Sequence, residues 1–224
     1  MITRKNKKSK EQPEVEQELP EEEEKAFQNV IMLPSLDDTT PSKSMGLFGD
    51  INEERGAELV YGLLTLWNQS KNSVLEEEDK KAKKQKPDPI ELYLSTHGGS
   101  ASEMFAIYDT MRMVKKDCPV STIGLGKVMS AGVLILAAGS KGYRKIGKNC
   151  RVMIHSVLGG SEGPIHSLEN EMNEIRWTQE RYINALIAET KLTQATMNKL
   201  LQKHVNIYLS AEEAVKYGIA DEVI

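Results

Sequence analysis

The sequence predicts an α/β fold in which strands and helices alternate along the chain. Three short apolar runs have the length and composition of buried strands, at residues 90–94, 119–125 and 151–155. Apolar residues at helical spacing lie between and after these runs, at residues 53–67, 104–114 and 131–138. Such alternation is typical of stacked β-α units rather than of a helical bundle or a β-sandwich.

A long helix is predicted over residues 163–190. Its apolar residues follow a three-four spacing that only Gln179 interrupts; they are Ile165, Leu168, Met172, Ile175, Tyr182 and Leu186. This spacing suits a helix packed against one other helix, which belongs either to the same domain or to another subunit. Near the end of the chain, Ser210 and Glu213 form a predicted capping box and Gly218 suits a helix stop, before a short strand or tail.

Two charged stretches interrupt the apolar pattern. Residues 1–42 carry charge runs and four prolines, which predicts a disordered or loosely attached arm before a domain at residues 43–224. Residues 69–88 form a charged insertion, which is either a long solvated loop or an extension of the preceding helix.

Composition excludes several classes of function. A net charge of -4 argues against general nucleic-acid binding, and no stretch is apolar enough to span a membrane. Cys118 and Cys150 lack the spacing of a metal site or a disulfide framework, so neither metal nor cofactor is expected. The charged start is no secretory signal, and the expected location is the cytoplasm.

Three strand ends carry residues suited to acyl transfer. Ser130 follows a strand and begins an apolar helix, where free N–H groups favour a developing negative charge. Taken alone, this position is explained more simply as a helix N-cap. His155 ends the next strand and is either a general base or a hydrogen-bonded structural histidine. Gly98 and Gly99 let the backbone approach a ligand closely. Together they supply a nucleophile, a base and amide donors, whereas His97 and His166 read as surface or loop residues.

In order and spacing, seven segments resemble the proteolytic subunit of Clp protease. They are residues 96–100 (THGGS), 106–111 (AIYDTM), 129–132 (MSAG), 136–139 (LAAG), 151–155 (RVMIH), 158–160 (LGG) and 209–214 (LSAEEA). The resemblance runs from about residue 47 to residue 224. It implies a crotonase-like fold with a protruding handle helix at residues 163–190. It also implies a homo-oligomer of two stacked heptameric rings, a tetradecamer, fed with unfolded polypeptide by an AAA+ unfoldase.

The same resemblance implies roles for single residues. Ser130 would attack the peptide carbonyl, His155 would shuttle the proton, and the amides of Gly99 and Ala131 would hold the oxyanion. Leu158, Gly159 and Gly160 would guide an extended substrate as an added strand.

The sequence departs from the family pattern around the expected third member of the triad. Asn206 stands where the family has Asp, and Val205 replaces the Arg of the usual Arg-Asp pair. His204 is an alternative third member. His97 replaces a Pro, Ser156 and Val157 replace Gln-Pro, and the usual N-terminal pore loop is missing. A catalytically weak subunit of a mixed ring therefore remains an alternative, whereas acyl-CoA chemistry on the same fold is disfavoured by the Ser-His pair.

Overall fold

A computed structural model describes residues 43–78, 87–201 and 206–224, with backbone alone over 72–78. The predicted arm at residues 1–42, the middle of the charged insertion and His204 lie outside these ranges. No helix in the described ranges is long and apolar enough to cross a membrane.

The elements alternate as the sequence predicts. The strands are β1 (Ser44–Phe48), β2 (Ile90–Thr96), β3 (Val120–Met129), β4 (Arg144–Ile146), β5 (Arg151–Ile154), β6 (Ile207–Leu209) and β7 (Glu222–Val223). The helices are α1 (Glu53–Glu78), α2 (Ala101–Val114), α3 (Ala131–Ala137), α4 (Ile165–Glu189), α5 (Gln194–Leu201) and α6 (Ala211–Lys216).

The strands form one sheet whose order along the main path is β1-β2-β3-β4-β7, with every neighbouring pair parallel. Strand β3 divides in two. Its first half pairs with β4, and its second half, after an irregularity in its register with β2, pairs with β5. Strand β6 then adds to β5 in the antiparallel sense. A register shift of this kind redirects a strand, and here it brings the ends of β3 and β5 side by side.

The core lies along the centre of this sheet. Leu92 and Leu94 of β2 are fully buried. Every residue of α3 is buried as well. Helix α3 can lie there because its sequence, AGVLILA, has no polar side chain to desolvate. Its first residue is therefore fixed firmly beside the end of β3.

The predicted α/β class of stacked β-α units is confirmed, and several boundaries differ. Strand β3 continues through Gly126 to Met129, where glycine and lysine had masked the strand pattern. Helix α1 runs to Glu78, so the first part of the charged insertion is a helix extension. The capping box of α6 is present as predicted, with Ser210 Oγ accepting from the Glu213 amide. The short elements β1, β4, β6 and α5 were not predicted.

Candidate active site

Ser130 occupies a sharp corner between β3 and α3. Its φ of 53° makes it the one non-glycine residue with positive φ in the described ranges. Its amide donates to the Met153 carbonyl of β5 over 2.8 Å. The hydroxyl makes no capping bond to the helix, although Ser130 is the N-cap residue. The strained backbone therefore presents the hydroxyl away from the start of α3 instead of letting it cap the helix.

His155 follows β5 directly, and its Nε2 lies 2.8 Å from Ser130 Oγ. The contact follows from the register, since Met129 of β3 pairs with Met153 of β5. Ser130 is one residue beyond this pair and His155 is two residues beyond it. A neutral imidazole that accepts the hydroxyl hydrogen in this geometry can act as a general base.

Asn206 lies opposite His155 when the register of β5 and β6 is continued by one residue. The last pair of that ladder is Ile154 with Ile207, so the next antiparallel pair would be His155 with Asn206. Asn206 is exposed, and within the described residues no hydrogen bond joins it to His155. Its part in a triad stays a prediction. The alternative, His204, lies outside the described residues.

Gly98 and Gly99 pass beside the corner, and neither position has room for a side chain. A Cβ at Gly98 would lie 2.6 Å from Ser130 Cβ, and one at Gly99 would lie 2.1 Å from the Ile51 carbonyl oxygen. Ile51 bonds to the carbonyl of Gly98 and to the amide of Ser100, so the Gly99 amide points the other way. The Ala131 amide is in the first turn of α3 and has no intrahelical partner. Both amides are thus available near the hydroxyl.

A cavity of about 490 Å³ surrounds the pair. Its lining includes Gly98, Gly99, Ser130, Ala131, His155 and Leu158, to which the sequence analysis gave a role in the site, together with His97, Asp50, Met104 and Tyr182. His97 Nδ1 lies 3.8 Å from an Asp50 carboxylate oxygen, and both side chains are exposed at the rim. His166 lies away from the cavity, on the exposed start of α4.

The glycine-rich segment after His155 leaves the cavity as irregular backbone. Leu158 is 82% exposed and Gly160 has open space around it. Gly159 packs on Ile175 of α4, where a Cβ would lie 2.5 Å from Ile175 Cδ1. An exposed, unpaired stretch of this kind can accept an extended peptide through its backbone.

Tyr182 of α4 is a site residue that the sequence reasoning treated only as part of an apolar stripe. Its hydroxyl donates to the Ser130 carbonyl over 3.0 Å, and the side chain is 4% exposed. Burial raises the pKa of this hydroxyl well above its ordinary value, so it remains a donor. The sequence contained one indication that this face of the helix is more than packing surface: Gln179, three residues earlier, interrupts the apolar stripe on the same face.

The described residues contain no group of three or more His, Cys, Asp or Glu side chains that could hold a metal ion. The chemistry that the cavity can support with its own residues is attack by a hydroxyl, with the adjacent imidazole taking the proton.

The comparison with protein families agrees with this geometry. The family model described as Clp protease matches residues 44–224, which is most of the chain. The matched region contains every described strand and helix, and it includes both Ser130 and His155. The chain belongs to the Clp protease family.

Proposed function

We propose that the chain is a serine endopeptidase subunit that cleaves unfolded polypeptides inside a ring-shaped compartment. The observation that carries the proposal is the 2.8 Å contact between Ser130 Oγ and His155 Nε2 at a strained corner beside a cavity. A serine that is only structural would be expected to cap its helix, and Ser130 does not.

In the proposed reaction, Ser130 Oγ attacks the carbonyl carbon of a peptide bond while His155 Nε2 takes the hydroxyl proton. The amides of Gly99 and Ala131 stabilise the oxyanion that forms. The C–N bond then breaks, and the imidazolium returns the proton to the leaving amine. Water activated by the same imidazole hydrolyses the acyl-enzyme and restores the hydroxyl.

We propose that the substrate binds as an added strand along Leu158, Gly159 and Gly160. The irregular backbone there is exposed, and it begins three residues after the imidazole. Main-chain hydrogen bonds would hold an extended peptide with little regard to its sequence. Such a mode suits unfolded polypeptide, because a folded chain rarely offers a free strand.

Assembly into two stacked heptameric rings is part of the proposal. Helix α4 supports it, because one side of its first half exposes three large apolar side chains: Ile165, Leu168 and Met172. An apolar face of this kind is costly in water and marks an interaction surface. Within the ring, residues 43–224 would be the protease domain and α4 the handle. An AAA+ unfoldase would feed unfolded polypeptide into the ring.

One observation favours a second candidate, a catalytically weak or inactive subunit of a mixed ring. Within the described residues the imidazole of His155 has Ser130 as its hydrogen-bond partner and no carboxylate beside it. A carboxylate in that place normally orients the ring and stabilises the imidazolium, and replacing it with an amide in another serine protease costs about 10⁴ in turnover.

A fluorophosphonate probe separates the two candidates. The peptidase predicts stoichiometric modification of the wild-type protein at Ser130 and none in Ser130→Ala. An assembled ring that takes up no probe would contradict the peptidase and support the inactive subunit. Mass spectrometry of the intact chain and of its peptides gives both the stoichiometry and the position.

A further inference from the structure

Two polar side chains of α4 form hydrogen bonds to the backbone of the Ser130–His155 site, one at Ser130 itself and one just after His155. Tyr182 donates its hydroxyl hydrogen to the carbonyl of Ser130 over 3.0 Å. Gln179 Oε1 accepts a hydrogen bond from the Val157 amide over 2.5 Å, two residues after His155. Residues three apart share one side of a helix, so a single helix face makes both contacts.

The hydrogen bond from Val157 explains why a polar residue, Gln179, lies in an apolar stripe, which helix packing alone does not explain. Gln179 interrupts an otherwise apolar stripe, and its Nε2 is buried without a hydrogen-bond partner in the described residues. Leaving a buried donor unpaired costs free energy, so an apolar side chain would serve packing better. What the glutamine supplies is an acceptor for Val157, at the point where the chain leaves His155.

The orientation of His155 depends on such backbone contacts. Ser130 is its one hydrogen-bond partner within the described residues, and Asn206 across the strand pair makes no bond to it. The position of the imidazole is therefore set by β5, which precedes it, and by the segment that follows it from Ser156. In that segment, Val157 is the first residue with a hydrogen bond to another element, to Gln179 of α4.

We infer that Gln179 and Tyr182 are positioning residues through which α4 sets the distance between Ser130 Oγ and His155 Nε2. The inference rests on the proposed function, because it assigns these residues to the same reaction. Neither side chain need touch the substrate. Tyr182 fixes the backbone of the nucleophile and Gln179 fixes the backbone that follows the base. A displacement of reacting groups by about 1 Å can cost about a hundredfold in rate, so small movements of α4 matter.

The test compares rates of fluorophosphonate modification among four variants of the full-length protein. Tyr182→Phe removes one hydroxyl, and Gln179→Met removes the acceptor while keeping the shape. Gln179→Glu keeps an acceptor and breaks no hydrogen bond of Nε2 within the described residues. Tyr108→Phe is the matched control, because it deletes another buried tyrosine hydroxyl, one that donates over 3.2 Å to Glu189, the last residue of α4, and not to Ser130.

Tyr182→Phe and Gln179→Met are expected to slow modification of Ser130 by at least about tenfold. Gln179→Glu should recover part of the rate, and Tyr108→Phe should leave it within about twofold of wild type while losing thermal stability as Tyr182→Phe does. Equal rates in all variants would overturn the inference and leave the peptidase standing. A loss of rate in Tyr108→Phe equal to that in Tyr182→Phe would also overturn it, because the effect would then be general loosening.

A second readout works even if the wild-type protein takes up no probe, in which case the proposed peptidase fails. The ¹³Cε1 resonance of His155, identified by its absence in His155→Gln, reports the hydrogen bond to Ser130. Positioning predicts that Tyr182→Phe and Gln179→Met shift this resonance toward its place in Ser130→Ala. An unchanged resonance in both variants would refute the role of α4, whatever the enzyme's activity.

Discussion

At the scale of single residues, the site depends on one strained backbone and one short contact. Ser130 has φ of 53° and ψ of -124°, a conformation that costs a residue with a side chain about 1–3 kcal/mol. The fold tolerates it because the amide bonds to Met153 and the carbonyl to Tyr182. In this conformation the hydroxyl lies 2.8 Å from the imidazole and does not cap the start of α3.

Stability should therefore rise where this strain is released. Ser130→Gly is expected to be about 1 kcal/mol more stable than Ser130→Ala, since glycine accepts positive φ and the gain exceeds its extra chain entropy. Both variants lack the hydroxyl, which isolates the backbone effect. Chemical denaturation at one protein concentration measures it. A glycine variant less stable than the alanine variant would show that the corner is not strained.

The place of Asn206 opposite His155 gives a second prediction at this scale. Asn206→Asp is expected to raise peptide hydrolysis by about tenfold or more, because a carboxylate beside the imidazole stabilises its protonated form. Steady-state hydrolysis of a fluorogenic peptide measures the change. Asn173→Asp, on the exposed part of α4, adds the same charge elsewhere as a control. Equal activity of Asn206→Asp and wild type would show that residue 206 does not contact the base.

At the scale of elements, the sequence predicts those parts whose signals are local. The long amphipathic α4, the apolar α3 and the capping box of α6 follow from periodicity and capping chemistry. The pairing of β5 with the far half of β3 depends on an irregular register, which no local pattern encodes. Ser130 and His155 could nevertheless be predicted as a pair, from the strand ends that carry them and from the family resemblance, whereas Tyr182 and Asp50 are brought to the cavity by tertiary packing.

Arg144 of β4 also joins several elements, and its contacts could not be predicted from the sequence. Its guanidinium is buried, donates to the carbonyls of Ala137, Glu189 and Gly218, and pairs with Asp221 before β7. Burial alone would raise the pKa of Asp221, but the hydrogen bonds from Arg144 and the Gly142 amide outweigh it and hold the pKa below its ordinary value. The pair thus joins the ends of α3, α4 and α6 to the sheet.

Because the pKa of Asp221 is lowered on folding, its contribution is present at neutral pH and is lost as the pH falls through the folded-state pKa. Asp221→Asn should reduce the free energy of unfolding by about 2 kcal/mol at pH 7. As the pH falls below about 3.9, where an unpaired aspartate titrates, the difference from wild type should begin to shrink. Denaturation at several pH values measures this. A difference independent of pH would show that the charge of Asp221 does not contribute.

At the scale of the whole molecule, the apolar face of α4 remains to be accounted for. Its second half is anchored by buried Tyr182 and Leu186, while Met172 is 48% exposed and Leu168 lies on the same side of the first half. The helix is therefore fixed to the corner at Ser130 by its second half and offers an apolar surface in its first half. In the proposed double ring, that surface would meet its counterpart in the opposite ring.

Charge on this surface should separate the rings. Leu168→Glu combined with Met172→Glu is expected to convert the assembled particle to one of about half its mass, because apposed apolar faces would then carry like charges. Sedimentation velocity reports the mass. Asn170→Glu places a charge on the opposite side of the same helix and should leave the particle intact. An unaltered mass in the double variant would exclude this face from assembly.

Turnover of an unfolded, fluorescently labelled polypeptide measures whether the Ser130–His155 pair performs hydrolysis. Wild-type protein is expected to release short peptides over many cycles, and Ser130→Ala and His155→Ala are each expected to abolish this release while preserving the assembly. Undiminished hydrolysis in either variant, or no hydrolysis by the assembled wild-type protein, would show that the pair is not the catalytic centre.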